Sequence, residues 1–399
     1  MNDMRWSRST PLLLAVFVLW AYIVSSYVYK TWYVAIAIAL VTTAALILKG
    51  AIRVDGLPRA TAPVALYFCW MLASALWARF PEEVYTWMAI DSIELGVFVL
   101  FFLAGCNATA DQVISGLSSL VIPSVIIATI MHVFDRGLDP AFTRVAPYAV
   151  ALLPMIVPFL VWRAKTAPPR WLYQLAIALT FAVLVIGRSR MQLAVGGLML
   201  LMSVVAFREN VRAAFRELLI HGAIIVTTIA ALAALPSTRT AVVAIASRYV
   251  RADITWGGVH VAAQKRDGVR PGLAVLSTDL LPEAMPLGIG YMNAVGYYKE
   301  AAGRPVSLHN MYMTFLLEGG LPCVAIILFL ALRHGRALKI YIATAHTAEE
   351  RGYGKALVLA SLGVLPFGAF HQVQQTPTLW MLLGLGAACG VEVRNRRKI

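Results

Sequence analysis

The amino-acid sequence predicts an all-α fold: a polytopic membrane bundle of about twelve transmembrane helices with one large outer loop of short helices. Three observations predict it. Hydrophobic residues make up 60% of the 399 residues and charged ones 14%, with a mean hydropathy of +0.75, whereas a soluble domain carries about a quarter charged residues. The apolar residues lie in long continuous runs, unlike the alternating segments of roughly ten residues that build an outer-membrane barrel. Helices are then the elements that satisfy their own backbone in lipid. One long hydrophilic stretch stands apart, from Ser237 to Leu308.

At roughly 17–25 apolar residues per crossing, twelve spans fit: residues 11–29, 32–48, 61–78, 86–105, 113–132, 146–162, 171–187, 191–207, 218–236, 309–332, 355–371 and 377–392. The first follows Arg5 and Arg8 in the manner of a signal peptide. No small-residue cleavage site closes it, and Lys30-Thr31-Trp32 leads straight into the second, so it reads as a retained span. Asp91 and Glu94 interrupt the fourth, and the break Gly187-Arg188-Ser189-Arg190 divides the seventh from the eighth. The chain thus falls into spans one to nine (1–236), the large loop (237–308), and spans ten to twelve with a basic tail (309–399). Cys69, Cys106, Cys323 and Cys389 each lie in or at the end of an apolar run with no partner close in sequence, which argues against a disulfide framework or a zinc site.

Positive residues orient the bundle. With the N-terminus inside, the cytoplasmic segments carry Arg5 and Arg8, then Lys49, Arg53 and Arg59, then Arg163, Lys165 and Arg170, then Arg208, Arg212 and Arg216. They continue with Arg333, Arg336, Lys339, Arg351 and Lys355 and end with Arg394, Arg396, Arg397 and Lys398. The short outer connections carry only Lys30, Arg79, Arg136, Arg144, Arg188 and Arg190. An even number of spans returns the basic tail to the cytoplasm, so the long loop faces outward. The net charge of +14 follows from this topology and from anionic inner-leaflet lipid. Basic residues scattered over many separate loops do not make a nucleic-acid-binding face.

Candidate chemistry gathers at the outer rim. Arg190 would open the eighth helix, where free backbone N–H groups already attract anions. With Arg188 it suits a phosphate or pyrophosphate; the alternative is snorkelling to lipid headgroups. The loop adds Arg239, Arg248, Arg251, Lys265, Arg266, Arg270, Lys299 and Arg304 against five acids, Asp253, Asp267, Asp279, Glu283 and Glu300. Trp256, Tyr291, Tyr297 and Tyr298 suit stacking on sugars or a place at the membrane interface. Pro271, Pro282, Pro286 and Pro305 would break the loop into short helical pieces, and Gly288-Ile289-Gly290 reads as a turn rather than a dinucleotide motif.

His132, His260, His309 and His371 are the outer histidines. His309 stands where a span begins, either as a general base for a hydroxyl or as a helix-start residue bonded to backbone. Asn310 follows it, and Glu318-Gly319-Gly320-Leu321-Pro322 breaks the same helix. A carboxylate in a span is costly, so Glu318 is paired or functional. No spacing suits a metal site, and no Gly-Lys-Ser/Thr phosphate loop occurs.

In order and topology these elements resemble the O-antigen ligase family of polytopic membrane proteins, which is grouped with O-antigen polymerases. The resemblance rests on Arg188-Ser189-Arg190, a loop arginine ahead of Pro286-Leu287-Gly288-Ile289-Gly290, and His309-Asn310 followed by Glu318-Gly319-Gly320. The family usually carries an arginine-to-tryptophan stretch before the glycine turn. Here Arg266-Asp267-Gly268-Val269-Arg270-Pro271 lacks the tryptophan, which leaves Arg266 and Arg270 as alternatives, with spacing to the turn favouring Arg270. Polymerases show two sizeable outer loops with Arg-x10-Gly, a pattern this chain lacks.

The resemblance implies transfer of a polysaccharide from undecaprenyl pyrophosphate to a sugar hydroxyl of lipid A–core. It implies that this occurs at the periplasmic face of the bacterial inner membrane, without metal or other cofactor. His309 would be the base, with Arg188, Arg190 and Arg266 or Arg270 on the pyrophosphate and Asn310 and Glu318 in support. An O-antigen polymerase or a protein O-oligosaccharyltransferase would share the donor and differ in acceptor. A lipid or solute transporter would instead place charged groups near the bilayer midplane and show two similar halves.

Overall fold

The structure is a computed structural model and describes residues 2–24, 31–126, 147–186, 190–235, 239–240, 242–243, 246–247, 254–256, 259–261, 269–302, 310–369 and 376–396. Helices dominate. The N-terminal part holds α1 (Asn2–Val24), α2 (Thr31–Leu48), α3 (Leu57–Ala73), α4 (Pro81–Asn107) and α5 (Ala110–Ser118). Next come α6 (Pro147–Thr166), α7 (Arg170–Ile186), α8 (Arg190–Phe207) and α9 (Val211–Ala234). The hydrophilic stretch contains β1 (Ile254–Trp256), β2 (Val259–Val261), α10 (Val269–Ala284) and α11 (Asn293–Ala302). A single turn, α12 (Met311–Met313), and a π-helical segment (Thr314–Glu318) lead into α13 (Gly320–Ala343), α14 (Ala348–Gly368) and α15 (Pro377–Arg396).

Among the described residues, five helical stretches are long and apolar enough to cross a membrane: Leu57–Leu76, Pro81–Asn107, Arg190–Phe207, Val211–Ala234 and Gly320–Ala343. Each apolar run read from the sequence is helical over most of its described length. The ends follow from local chemistry. Pro81 opens α4 with Glu82 and Glu83 in the first turn, where carboxylates meet the positive end of the helix dipole. Thr109 and Gln112 form a reciprocal capping box on α5, and Asn210 and Thr347 cap α9 and α14.

Helices α4 and α15 form the most extensive pairing, and α1, α3 and α13 pack around them. The pair is close because it is built on glycine. A Cβ on Gly384 would lie 2.6 Å from the Phe98 carbonyl oxygen, and one on Gly105 would lie 2.6 Å from the Ala388 Cβ. Small residues let backbones approach where no hydrophobic force separates helix from lipid. A second group joins α6 to α7, α8 and α14, with Gly352 seated on the Trp162 ring and Gly363 against Met199 and Met155. Val41, Leu66, Val205, Val226, Leu328 and Leu332 lie exposed on the flanks, as suits hydrocarbon surroundings. Asp91 and Glu94 do not break α4; both are buried on its inward face.

Three expectations need correction. The loop is not made of helical pieces alone, because β1 and β2 pair antiparallel, with Trp256 opposite Val259. Pro271 and Pro282 do not break α10. Pro271 lies in its first turn, where an N–H has no intrahelical acceptor, and Pro282 lies in its last; the helix ends just before Pro286. Arg333, Arg336 and Lys339 lie on α13 itself, which runs on to Ala343 rather than ending at Leu332.

The glycine seam can be tested directly. Gly384→Val forces a side chain into the α4 backbone, an overpacking cost of about 1–3 kcal/mol, and is expected to lower the melting temperature of the detergent-purified protein by several degrees. Gly197→Val, at a helical glycine whose added Cβ meets nothing within 4 Å, is expected to leave it nearly unchanged. Equal losses would contradict packing through Gly384.

Candidate functional site

One end of the bundle is organised around a break in the helix that follows His309-Asn310. Proline at 322 has no N–H, so the Glu318 carbonyl lacks its usual helical donor. The loop supplies one: the Gly290 N–H donates to the Glu318 oxygen at 3.1 Å. The exchange is complete on both sides, since the Ile289 N–H donates to the Leu317 carbonyl at 2.9 Å and the Leu321 N–H donates to the Pro286 carbonyl at 2.9 Å. Two short motifs distant in sequence, Pro286–Gly290 and Glu318–Gly320, are therefore interlocked through main chain. Glycine is required here. Gly288 and Gly320 have φ of 85° and 66°, and added Cβ atoms would lie 2.3 Å from the Glu318 oxygen and 2.4 Å from the Pro286 oxygen.

The connection between α3 and α4 buttresses this knot. The Trp70 indole donates to the Gly319 carbonyl at 2.7 Å and the Trp77 indole to the Gly288 carbonyl at 2.9 Å. Ser74 Oγ accepts from the Tyr291 N–H at 2.9 Å. The Asn293 side chain bonds both the N–H and the carbonyl of Phe80, at 2.8 and 3.0 Å. Arg79 pairs with Glu300 at 3.0 Å and lies over the Phe80 and Tyr297 rings.

The two buried acids beneath the turn are engaged. Glu318 is fully buried. Its carboxylate accepts from the Met292 N–H at 3.0 Å, a free donor at the start of α11. Asp91 accepts the Tyr291 hydroxyl. Asn310 is the N-cap of α12, its side chain accepting from Tyr312 and Met313 at 3.0 and 3.1 Å. Asn310 thus shapes the backbone immediately after position 309, while Glu318 holds the start of α11.

Helix α14 relates this end to Arg190. Lys355 reaches the Ala206 carbonyl and Gly363 meets Met199, so α14 runs antiparallel to α8. Beyond that contact Gly368 packs on Met311, and the Tyr312 hydroxyl donates to the Leu365 carbonyl at 2.7 Å. At about 1.5 Å per residue, Arg190 stands about 13 Å beyond Met199 and Gly368 about 7 Å beyond Gly363. Arg190, exposed at the first position of α8, is therefore at the same end of the bundle as Asn310.

His309, Arg188 and Arg266, together with His132 and His371, lie outside the described residues. Arg270 is the second residue of α10, and its side chain lies outside the described part. Tyr291 and Tyr298 are not available to stack on a sugar, because they are 2% and 1% exposed. Tyr298 bonds Ser277 at 2.6 Å, and burial pushes its hydroxyl up to about 12 against the lowering effect of that bond. Among the described residues no group of three or more His, Cys, Asp or Glu is placed to hold a metal ion. Sequence reasoning passed over the buttress of Trp70, Ser74, Trp77 and Asn293. Its available signal was a pair of tryptophans at a span end, each with an indole N–H that needs an acceptor when buried.

Three substitutions test the knot. Glu318→Gln keeps an oxygen for Met292 and is expected to preserve the fold, while Glu318→Leu leaves the start of α11 without an acceptor and is expected to expose it to proteolysis. Gly288→Ala, strained and clashing, is expected to behave like Glu318→Leu. Limited proteolysis with mass mapping of 269–302 distinguishes the outcomes, and equal protection in all three variants would contradict the interlock. No protein-family model matches the sequence, and the search of characterised proteins found no match.

Proposed function

We propose that this chain is a glycosyltransferase of the O-antigen ligase type. It is embedded by twelve spans in a bacterial inner membrane, with the interlocked end facing the periplasm. It transfers a polysaccharide from undecaprenyl pyrophosphate to a sugar hydroxyl of lipid A–core. The observation that supports this most is the knot itself. The two motifs on which the family resemblance rests, Pro286–Gly290 and Glu318–Gly320, hold each other, and Asn310 caps the helix entry directly after His309. Arg190 opens a helix at the same end.

In this chemistry the acceptor hydroxyl attacks the anomeric carbon of the donor glycan and loses its proton to the neutral imidazole of His309. The new bond is oxygen to anomeric carbon. The bond that breaks joins that carbon to the pyrophosphate oxygen, which leaves with the electron pair. Arg188, Arg190 and Arg266 or Arg270 stabilise the charge that accumulates on the departing pyrophosphate, where preorganised cations act most strongly. Direct displacement inverts the anomeric configuration.

The test uses purified full-length protein with an undecaprenyl-pyrophosphate-linked glycan and either lipid A–core or a peptide acceptor. Product on lipid A–core is expected. His309→Ala and Arg190→Gln are each expected to slow transfer by about 10²–10³-fold, with partial recovery in Arg190→Lys, which restores charge but not the bidentate fork. Near-normal transfer by His309→Ala would remove the base assignment. Product only on the peptide would move the chain to protein glycosylation, and movement of labelled substrate across proteoliposomes without transfer would make it a transporter.

A further inference from the structure

The end of the bundle opposite the knot holds a cavity of about 190 Å³ between α3, α13 and α15. Four arginines line it: Arg59 from the first turn of α3, Arg333 and Arg336 from α13, and Arg394 from the last turn of α15. Among the described residues no carboxylate lines it. The ion pairs among the described residues engage Arg79, Arg163, Arg208, His221 and Arg396, and none of these four. Arg333 donates instead to the Arg59 carbonyl at 2.8 Å, which holds two like charges together at the rim. Gly56, also in the lining, is the N-cap of α3 and provides no side-chain cap, so that helix start adds its own positive end. His334 bonds Ser361 through Nε2 at 2.9 Å, while its Nδ1 is buried at the cavity wall beside Gly386 without a hydrogen-bond partner.

Such a concentration of cations, with no ion pair to them among the described residues, favours an anion. The remaining walls say what carries it. Phe98, Leu330, Ile340, Leu383 and Val391 make them apolar. Phe329 and Leu332 lie exposed one helical turn before Arg333 and Arg336 on the same face of α13. A headgroup held by the arginines would leave its acyl chain along that apolar stripe. We propose that this cavity binds the phosphate-bearing headgroup of an anionic membrane lipid, with the chain lying along Phe329 and Leu332. The site requires the bundle to sit in a membrane and does not depend on the transferase chemistry.

The experiment uses full-length protein in a neutral detergent, titrated with phosphatidylglycerol or phosphatidylcholine of identical acyl chains and read by native mass spectrometry. Arg336→Gln/Arg394→Gln removes two exposed cavity cations. Arg212→Gln/Arg216→Gln removes the same charge from exposed positions on α9. Wild type is expected to retain one phosphatidylglycerol in preference to phosphatidylcholine. The cavity pair is expected to bind it about tenfold more weakly, and the control pair as wild type does. Melting temperature in detergent alone checks that the variants fold. Equal retention of the two lipids, or equal weakening in the control pair, would overturn the site. So would stabilisation by millimolar inorganic phosphate as large as by phosphatidylglycerol, because the anion would then be a soluble phosphate.

Discussion

Pro322 removes one donor from a helix, and much of the architecture at that end of the bundle answers the loss. The Glu318 carbonyl takes its hydrogen from Gly290, the Leu321 N–H turns to Pro286, and Ile289 serves Leu317. In water each such bond is worth about 0.5–1.5 kcal/mol net, but leaving a buried group unmade costs more, and in hydrocarbon several kcal/mol. The helix break and the loop turn therefore cannot exist apart. Glycines at 288 and 320 follow from the closeness of the two chains, and Trp70 and Trp77 cover carbonyls that the exchange leaves facing sideways.

This constraint joins the hydrophilic stretch to the membrane-embedded part. The turn is fixed by the α3–α4 connection on one side and the 314–320 break on the other, with Glu318 holding the start of α11. The segment of 237–308 nearest the bundle is thereby part of the scaffold, not a separate domain. The two ends of the molecule also differ electrostatically. At the knot end Arg79 is matched to Glu300, and Asp91 and Glu318 each accept a hydrogen bond. At the opposite end four arginines surround a cavity that, among the described residues, offers no carboxylate.

Much of the helical plan was legible because apolar runs of adequate length leave few alternatives; the described parts of those runs are mostly helical even where Asp91 and Glu94 intervene. The turn at Gly288–Gly290 and the break at Glu318–Gly320 were each readable from glycine and proline. Their pairing was not, because backbone hydrogen bonds between distant segments leave no side-chain signature. The same reason hid Asn293, whose partner is main chain at Phe80. Tyr291 and Tyr298 misled because aromatic residues in a polar stretch look the same whether they face sugar or plug a junction. The small β-ribbon at 254–261 was missed because two three-residue strands carry too little alternation to register.

The proposed transfer is a single displacement at an anomeric carbon. The most direct measurement is the stereochemistry and stoichiometry of one turnover, using purified protein, a donor of defined anomeric configuration and lipid A–core. An inverted linkage in the product and one undecaprenyl pyrophosphate released per glycan joined are expected. A retained configuration, or release of undecaprenyl pyrophosphate without a joined glycan, would contradict it.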